Sequence, residues 1–126
     1  WFWPAANAQP VYPRYEAVRQ ALLQESVGDV KARALALADT ARGRELDSIA
    51  AAADAVAKSE ELDETRHAFA VLSDAMITYR GTSNEEPKPV VAYCSMARHS
   101  WLQPDGPISN PYYDASMSSC GEITSR

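Results

Sequence analysis

The spacing of apolar residues between positions 11 and 80 is the feature that most constrains the fold. Apolar side chains recur there every three or four residues, as in Val11, Tyr15, Val18 and Leu22, which is the period of an amphipathic helix. None of the eight prolines lies between residues 14 and 80, where proline would break a helix. The predicted helices cover about 13–25, 29–42, 44–58 and 60–80.

Short polar turns separate these four segments. Asp29 and Ser59 suit helix N-caps, whereas Gly28, Gly43 and Gly81 suit helix ends. Four helices of this length with short connections predict a mainly α fold, an antiparallel four-helix bundle over about residues 11–81. Abundant alanine in the apolar stripes is typical of closely approaching helices.

The composition changes after Gly81, where Pro, Gly, Ser, Asn and Tyr replace the helical pattern. Residues 83–89 are predicted to be a linker, and 89–93 a short β-like run that leads into Cys94. Turns are predicted at 104–107 and 110–111. The chain is therefore interpreted as one domain, 1–126, with an irregular C-terminal region of about 90–124, containing short strands, packed on the bundle.

Charge and hydropathy narrow the possible partners. The formal net charge is −5, and the basic residues are scattered singly, which argues against nucleic-acid binding. No apolar run approaches the roughly 20 residues of a membrane span. Residues 6–8, Ala-Asn-Ala, have the small-x-small form of a signal-peptidase site. Too few residues precede this motif for the apolar part of a signal peptide, so we favour the simpler interpretation that the chain begins at a mature end.

Soft metal donors are concentrated in the C-terminal region, and these candidate ligands are Cys94, Met96, His99, Met117 and Cys120. Thiolate and thioether together favour copper(I), and silver(I) would fit equally well. Zinc has little use for thioether, and a blue-copper centre would need a second histidine. We predict a copper(I) site in which the histidine is an optional ligand.

Two other interpretations of these residues stay open. From their spacing alone, Cys94 and Cys120 could equally form a disulfide, which would stabilise the fold by roughly 3–4 kcal/mol. The nearby methionines favour the metal, because a disulfide gives them no role. An enzyme with Cys94 as nucleophile and His99 as base ranks last, because no orienting group or oxyanion motif is visible. We therefore predict no catalysis.

Some neighbouring residues have simpler explanations. His67 lies off the apolar stripe of its helix and is predicted to be solvated. The aromatic residues Trp101, Tyr112 and Tyr113 could shield a copper ion, but we favour a hydrophobic cluster that docks the C-terminal region on the helices.

The C-terminal motifs resemble a domain of unknown function in exported bacterial proteins. The resemblance rests on four segments of this sequence: Tyr-Cys-Ser-Met-Ala at 93–97, Trp-Leu-Gln at 101–103, Ile-Ser-Asn-Pro-Tyr-Tyr at 108–113 and Ser-Met-Ser-Ser-Cys-Gly-Glu at 116–122. Ser95 and Asp114 depart from the family's usual Pro and Gly, although all four sulfur residues are retained. That domain occurs alone or appended to periplasmic adaptors of copper/silver efflux pumps of the resistance-nodulation-division type.

The resemblance implies a periplasmic, heavy-metal-associated role, with an efflux-pump adaptor or another periplasmic copper protein as a possible partner. We therefore predict a copper(I) or silver(I) chaperone or buffer linked to metal resistance. The alternative is a disulfide-stapled helical module that docks on an envelope or efflux assembly without metal.

Overall fold

The computed structural model describes residues 9–126, so the small-x-small motif at 6–8 lies outside the described residues. The chain is mainly helical, as predicted, and the C-terminal region forms a small sheet. The elements are α1 Tyr12–Leu23, α2 Val27–Gly43, α3 Asp47–Lys58, α4 Leu62–Thr82, β1 Val90–Cys94, β2 His99–Gln103, a short 3-10 helix Ala115–Met117 and β3 Glu122–Ser125.

The helices lie close to their predicted positions, and two of the three glycines lie at helix ends, since α2 ends at Gly43 and Gly81 is the next-to-last residue of α4. Gly28 does not end α1 but lies in the first turn of α2. The chain reverses after α1 and α2 at Glu25 and Glu45, whose φ angles are 57° and 58°. These glutamates adopt the left-handed conformation that usually favours glycine.

Two of the predicted helix caps are also wrong. The N-cap of α2 is Ser26, whose Oγ accepts a hydrogen bond from the Asp29 N–H at 3.3 Å. Ser59 does not cap α4, which begins after Glu61. Its hydroxyl lies 2.6 Å from Thr65 Oγ1 and donates to the Val56 carbonyl, so it links α3 to α4.

Each helix packs against the next along the chain. Alanines supply much of the interface, and Ala34, Ala38, Ala41 and Ala53 are completely buried. Small side chains let two helices approach closely, which explains how few large aliphatic residues can still form a continuous core. In the described part of the chain, no helix is both long and apolar enough to cross a membrane.

The three strands form an antiparallel sheet in the order β2-β1-β3. The central strand β1 pairs with β2 through a regular register in which Ala92 faces Trp101 and Cys94 faces His99. Its pairing with β3 is interrupted between Val91 and Ala92. Strand β1 agrees with the β-like run predicted at 89–93, whereas β2 and β3 were predicted only as irregular chain.

Tyr15 of α1 joins the helices to the sheet. Its hydroxyl lies 2.7 Å from Ser73 Oγ of α4 and accepts a hydrogen bond from the Leu102 N–H of β2 at 3.2 Å. Its ring stacks on Phe69 of α4 with the centroids 5.1 Å apart. A single buried side chain therefore holds two helices and a strand together.

The Tyr15→Phe substitution tests this junction. It removes one hydroxyl and leaves the buried Leu102 N–H without its partner, which we expect to lower the free energy of unfolding by about 1–3 kcal/mol. Urea denaturation followed by circular dichroism measures the change. Tyr113→Phe is the matched control, because it removes the same hydroxyl oxygen from a half-buried ring. An equal loss in the free energy of unfolding in both variants would contradict the role given to Tyr15.

Candidate functional site

The two cysteines meet in the folded chain although 26 positions separate them. Cys94 Sγ and Cys120 Sγ lie 2.7 Å apart. Cys94 is completely buried at the end of β1, whereas Cys120 is half-buried. Of the five predicted ligands, these two are therefore brought into direct contact.

The turn after β1 directs backbone N–H groups at the Cys94 sulfur. The Ala97 N–H donates to Cys94 Sγ at 3.4 Å, and the Arg98 N–H donates to the Cys94 carbonyl at 2.7 Å. Arg98 has a φ of 60°, which closes the four-residue connection to β2. The turn thus surrounds the sulfur with donors that stabilise a thiolate.

Asn110 positions Cys120 from the opposite side. It is completely buried, and its Nδ2 donates to the Cys120 carbonyl at 2.8 Å while its Oδ1 accepts from the Tyr112 N–H at 2.8 Å. Its own N–H donates to the Ser118 carbonyl at 2.7 Å. One side chain therefore ties the 110–112 turn to the segment that carries Cys120.

Gly121, which follows Cys120, occupies a position where other residues do not fit. Its φ is 144°, and an added Cβ would lie 2.8 Å from Trp101 Cη2 and 3.2 Å from the Tyr93 carbonyl oxygen. Trp101 is completely buried. The close approach of the chain to this ring is what brings Cys120 over the end of β1.

The two thiols have opposite pKa shifts. Burial raises the pKa of Cys94, but hydrogen bonds from the Cys120 thiol, the Ala97 and Met96 N–H groups and the Asn110 side chain outweigh it and lower the pKa overall. The hydrogen bond to Cys94 raises the pKa of Cys120, and burial and the negative charge of Cys94 raise it further. The contact between the two sulfurs therefore favours ionisation of Cys94 and opposes ionisation of Cys120.

The other predicted ligands lie around this pair. Met117 is half-buried at the end of the 3-10 helix, and its carbonyl accepts a hydrogen bond from the Cys120 N–H at 3.1 Å. Met96 and His99 line a cleft of about 290 Å³ against α4, whose lining includes neither cysteine and not Met117. His67 is exposed, as predicted, and lines the same cleft.

The aromatic residues form the hydrophobic cluster favoured from the sequence. Tyr112 contacts the rings of Phe69, Trp101 and His99, with centroid distances of 6.2, 5.9 and 5.2 Å. Its hydroxyl donates to the Ser100 carbonyl at 2.6 Å. The cluster thus fixes the C-terminal region on α4 beside the thiol pair.

Sequence reasoning missed two parts of this site. Asn110 was interpreted from the sequence only as part of a turn. Its position next to the aromatic pair Tyr112 and Tyr113 was the one signal that its amide could be buried. The backbone N–H donors of the 95–98 turn could not be recognised from the sequence, because every residue except proline has a backbone N–H.

The donor set restricts what the site can bind. Within residues 9–126, no group of three or more His, Cys, Asp and Glu side chains is placed to hold a metal ion. Two adjacent thiols are chemically able to bind a soft, low-coordinate ion or to form a reversible disulfide.

Comparison with known proteins finds no matching family model, curated protein or solved structure. The resemblance to the exported bacterial domain therefore stays a prediction.

The Gly121→Ala substitution tests how Cys120 is positioned. The strained φ and the contact with Trp101 predict a loss of about 1–3 kcal/mol in the free energy of unfolding. We also expect slower oxidation of the thiol pair, because Cys120 must shift. Gly28→Ala is the control, since its added Cβ contacts nothing within 4 Å and a helical alanine stabilises by about 0.5–1 kcal/mol. Equal stabilities in both variants would overturn the packing argument.

The thiol pair should ionise in two separate steps. As the pH rises, Cys94 loses its proton below the ordinary thiol value of about 8.5 and Cys120 above it. Thiolate absorbance near 240 nm measures both steps in the reduced protein. In Cys120→Ala the Cys94 pKa should rise because its donor is gone, and in Cys94→Ala the Cys120 pKa should fall. A single step near 8.5 in all three proteins would contradict the hydrogen-bonded pair.

Proposed function

We propose that this protein binds copper(I), or silver(I), through Cys94 and Cys120, and serves as a metal chaperone or buffer. The observation that supports this most directly is the 2.7 Å separation of the two sulfurs within a group of N–H donors to Cys94. The thiolate is the form that binds metal, and the hydrogen bonds that lower the pKa of Cys94 favour that form.

Binding requires a small adjustment of the sulfurs. Two thiolates on one tetrahedral ion, each about 2.3 Å from the metal, are roughly 3.8 Å apart, so the pair would separate by about 1 Å. Cys120 is the half-buried member and the one that moves in this proposal. Loss of its proton removes the hydrogen bond that now joins the sulfurs.

Methionine completes the proposed ligand set. Met117 lies three residues before Cys120, on the same turn, and its thioether is the third ligand that we favour. Met96 and His99 belong to the adjacent cleft and are secondary candidates. The thioether favours copper(I) or silver(I) over zinc, which binds thiolate but has little use for thioether, and two thiolates disfavour calcium, which takes oxygen ligands.

A disulfide-stapled interaction module is the second candidate, and the same distance favours it. A disulfide requires a separation of about 2.05 Å, so a small approach of the sulfurs would form it. The resulting bond would close the loop over β2 and stabilise the fold by roughly 3–4 kcal/mol. In that case the C-terminal region would serve only as a rigid surface.

The helical part is, in this proposal, an antiparallel four-helix bundle that acts as a scaffold. Contacts between successive helices and the short connections between them support that arrangement. The proposed setting is the periplasm, with an efflux-pump adaptor or another copper protein as the metal partner. This assignment depends on the resemblance of the C-terminal motifs. We propose no catalysed reaction.

A copper(I) titration of the reduced protein against a competing chelator tests the proposed function. We expect one tight equivalent that protects both thiols from alkylation. Cys94→Ser and Cys120→Ser should each weaken copper(I) binding by more than about 100-fold. Loss of a direct ligand should cost more than the loss of a residue that only supports a ligand, for which about 100-fold is the upper range. His99→Ala should have a much smaller effect.

Ser119→Ala, an exposed neighbour of Cys120, is the matched control and should bind as the wild type does. Unchanged affinity in both cysteine variants would exclude the site. Thiols that are already paired on isolation, and bind no copper(I) after reduction, would favour the stapled module instead.

A further inference from the structure

The cleft beside the thiol pair gathers both histidines of the chain. His67 comes from α4 and His99 from the start of β2, and Met96 lies in the turn between β1 and β2. His67 is distant in sequence from Met96 and His99, and neither was expected to meet it. The fold therefore places two imidazoles and a thioether around one opening of about 290 Å³.

Two of the three side chains are accessible to solvent. Met96 is 62% exposed and His67 is exposed as well. His99 is half-buried, with its ring 5.2 Å from that of Tyr112. The cleft thus combines one partly buried imidazole with two exposed donors.

The charges at the cleft do not oppose a cation. Arg66 forms part of the wall, but it lies 3.3 Å from the Glu25 carboxylate and 4.0 Å from that of Asp63. Asp63 also lies one helical turn before His67, on the same face of α4. Two carboxylates therefore offset the one guanidinium.

We propose that His67, His99 and Met96 form a second binding site, for copper(I), separate from the thiol pair. The support for the site is that all three side chains line one cleft. Imidazole is a good copper ligand, and thioether selects the reduced ion. Because no thiol takes part, this site binds copper(I) even when Cys94 and Cys120 are oxidised to a disulfide. It uses none of Cys94, Cys120 and Met117, the ligands that we favour for the first site; Met96 and His99, which were only secondary candidates there, are assigned here to the second site.

A cysteine-free background isolates this second site. We would titrate the Cys94→Ser/Cys120→Ser protein with copper(I) against a weak chelator and follow the imidazole resonances by NMR. Both histidines should shift at one equivalent. Adding His67→Ala should weaken binding by at least about 10-fold, the lower range for a disturbed metal centre. Val71→Ala, also exposed on α4, should leave it unchanged.

The failures of the two proposals can be distinguished. If the cysteine-free protein binds no copper(I), or binds it equally well with His67→Ala, the second site is wrong, whatever the wild type does. A shift of only one histidine would also overturn it, as would binding of zinc but not copper(I). If the reduced wild type protects no thiol, the proposed function fails, whatever the histidines do.

Discussion

The packing of the C-terminal sheet on α4 depends on a stack of aromatic rings that begins at Tyr15. The stack continues through Phe69 to Tyr112 and ends at Trp101. Dispersion and burial supply most of its stabilisation, and the ring geometry makes the docking specific. Cys94 lies on β1, the strand paired with the one that carries Trp101, and Cys120 precedes Gly121, which packs against the Trp101 ring. The same aromatic stack therefore determines where the two sulfurs meet.

The separation of the sulfurs is determined more locally, by buried polar groups. A buried amide is costly unless its hydrogen bonds are made, and Asn110 makes them to two backbone segments. Either segment could move only by leaving this amide unsatisfied. Asn110 therefore holds the backbone at Cys120 as well as the 110–112 turn, so adjustment to a ligand would fall to the half-buried side chain of Cys120.

The helices could be predicted because one face of each is buried, which produces the spacing seen in Val11, Tyr15 and Val18. The turns after α1 and α2 could not, because Glu25 and Glu45 take the backbone conformation expected of glycine, in turns closed by local backbone hydrogen bonds. Strand β2 shows no alternation, since Trp101 and Leu102 are both buried, on opposite faces. Of the site, the cysteine pairing could be anticipated as one of several possibilities. The role of Asn110 and the meeting of His67 with His99 arise only from the fold.

The asymmetry of the thiol pair has a consequence for metal exchange in the proposed function. Cys94 is buried and its pKa is lowered, so it is ready to bind but hard to reach. Cys120 is more accessible, yet its pKa is raised, so it ionises at a higher pH than Cys94. Since ligation requires both thiolates, metal uptake would release the protons that the two thiols still hold, and Cys120 would be the last to ionise. Uptake would then be favoured as the pH rises and release as it falls, with Cys120 as the sulfur that a partner's ligand reaches first.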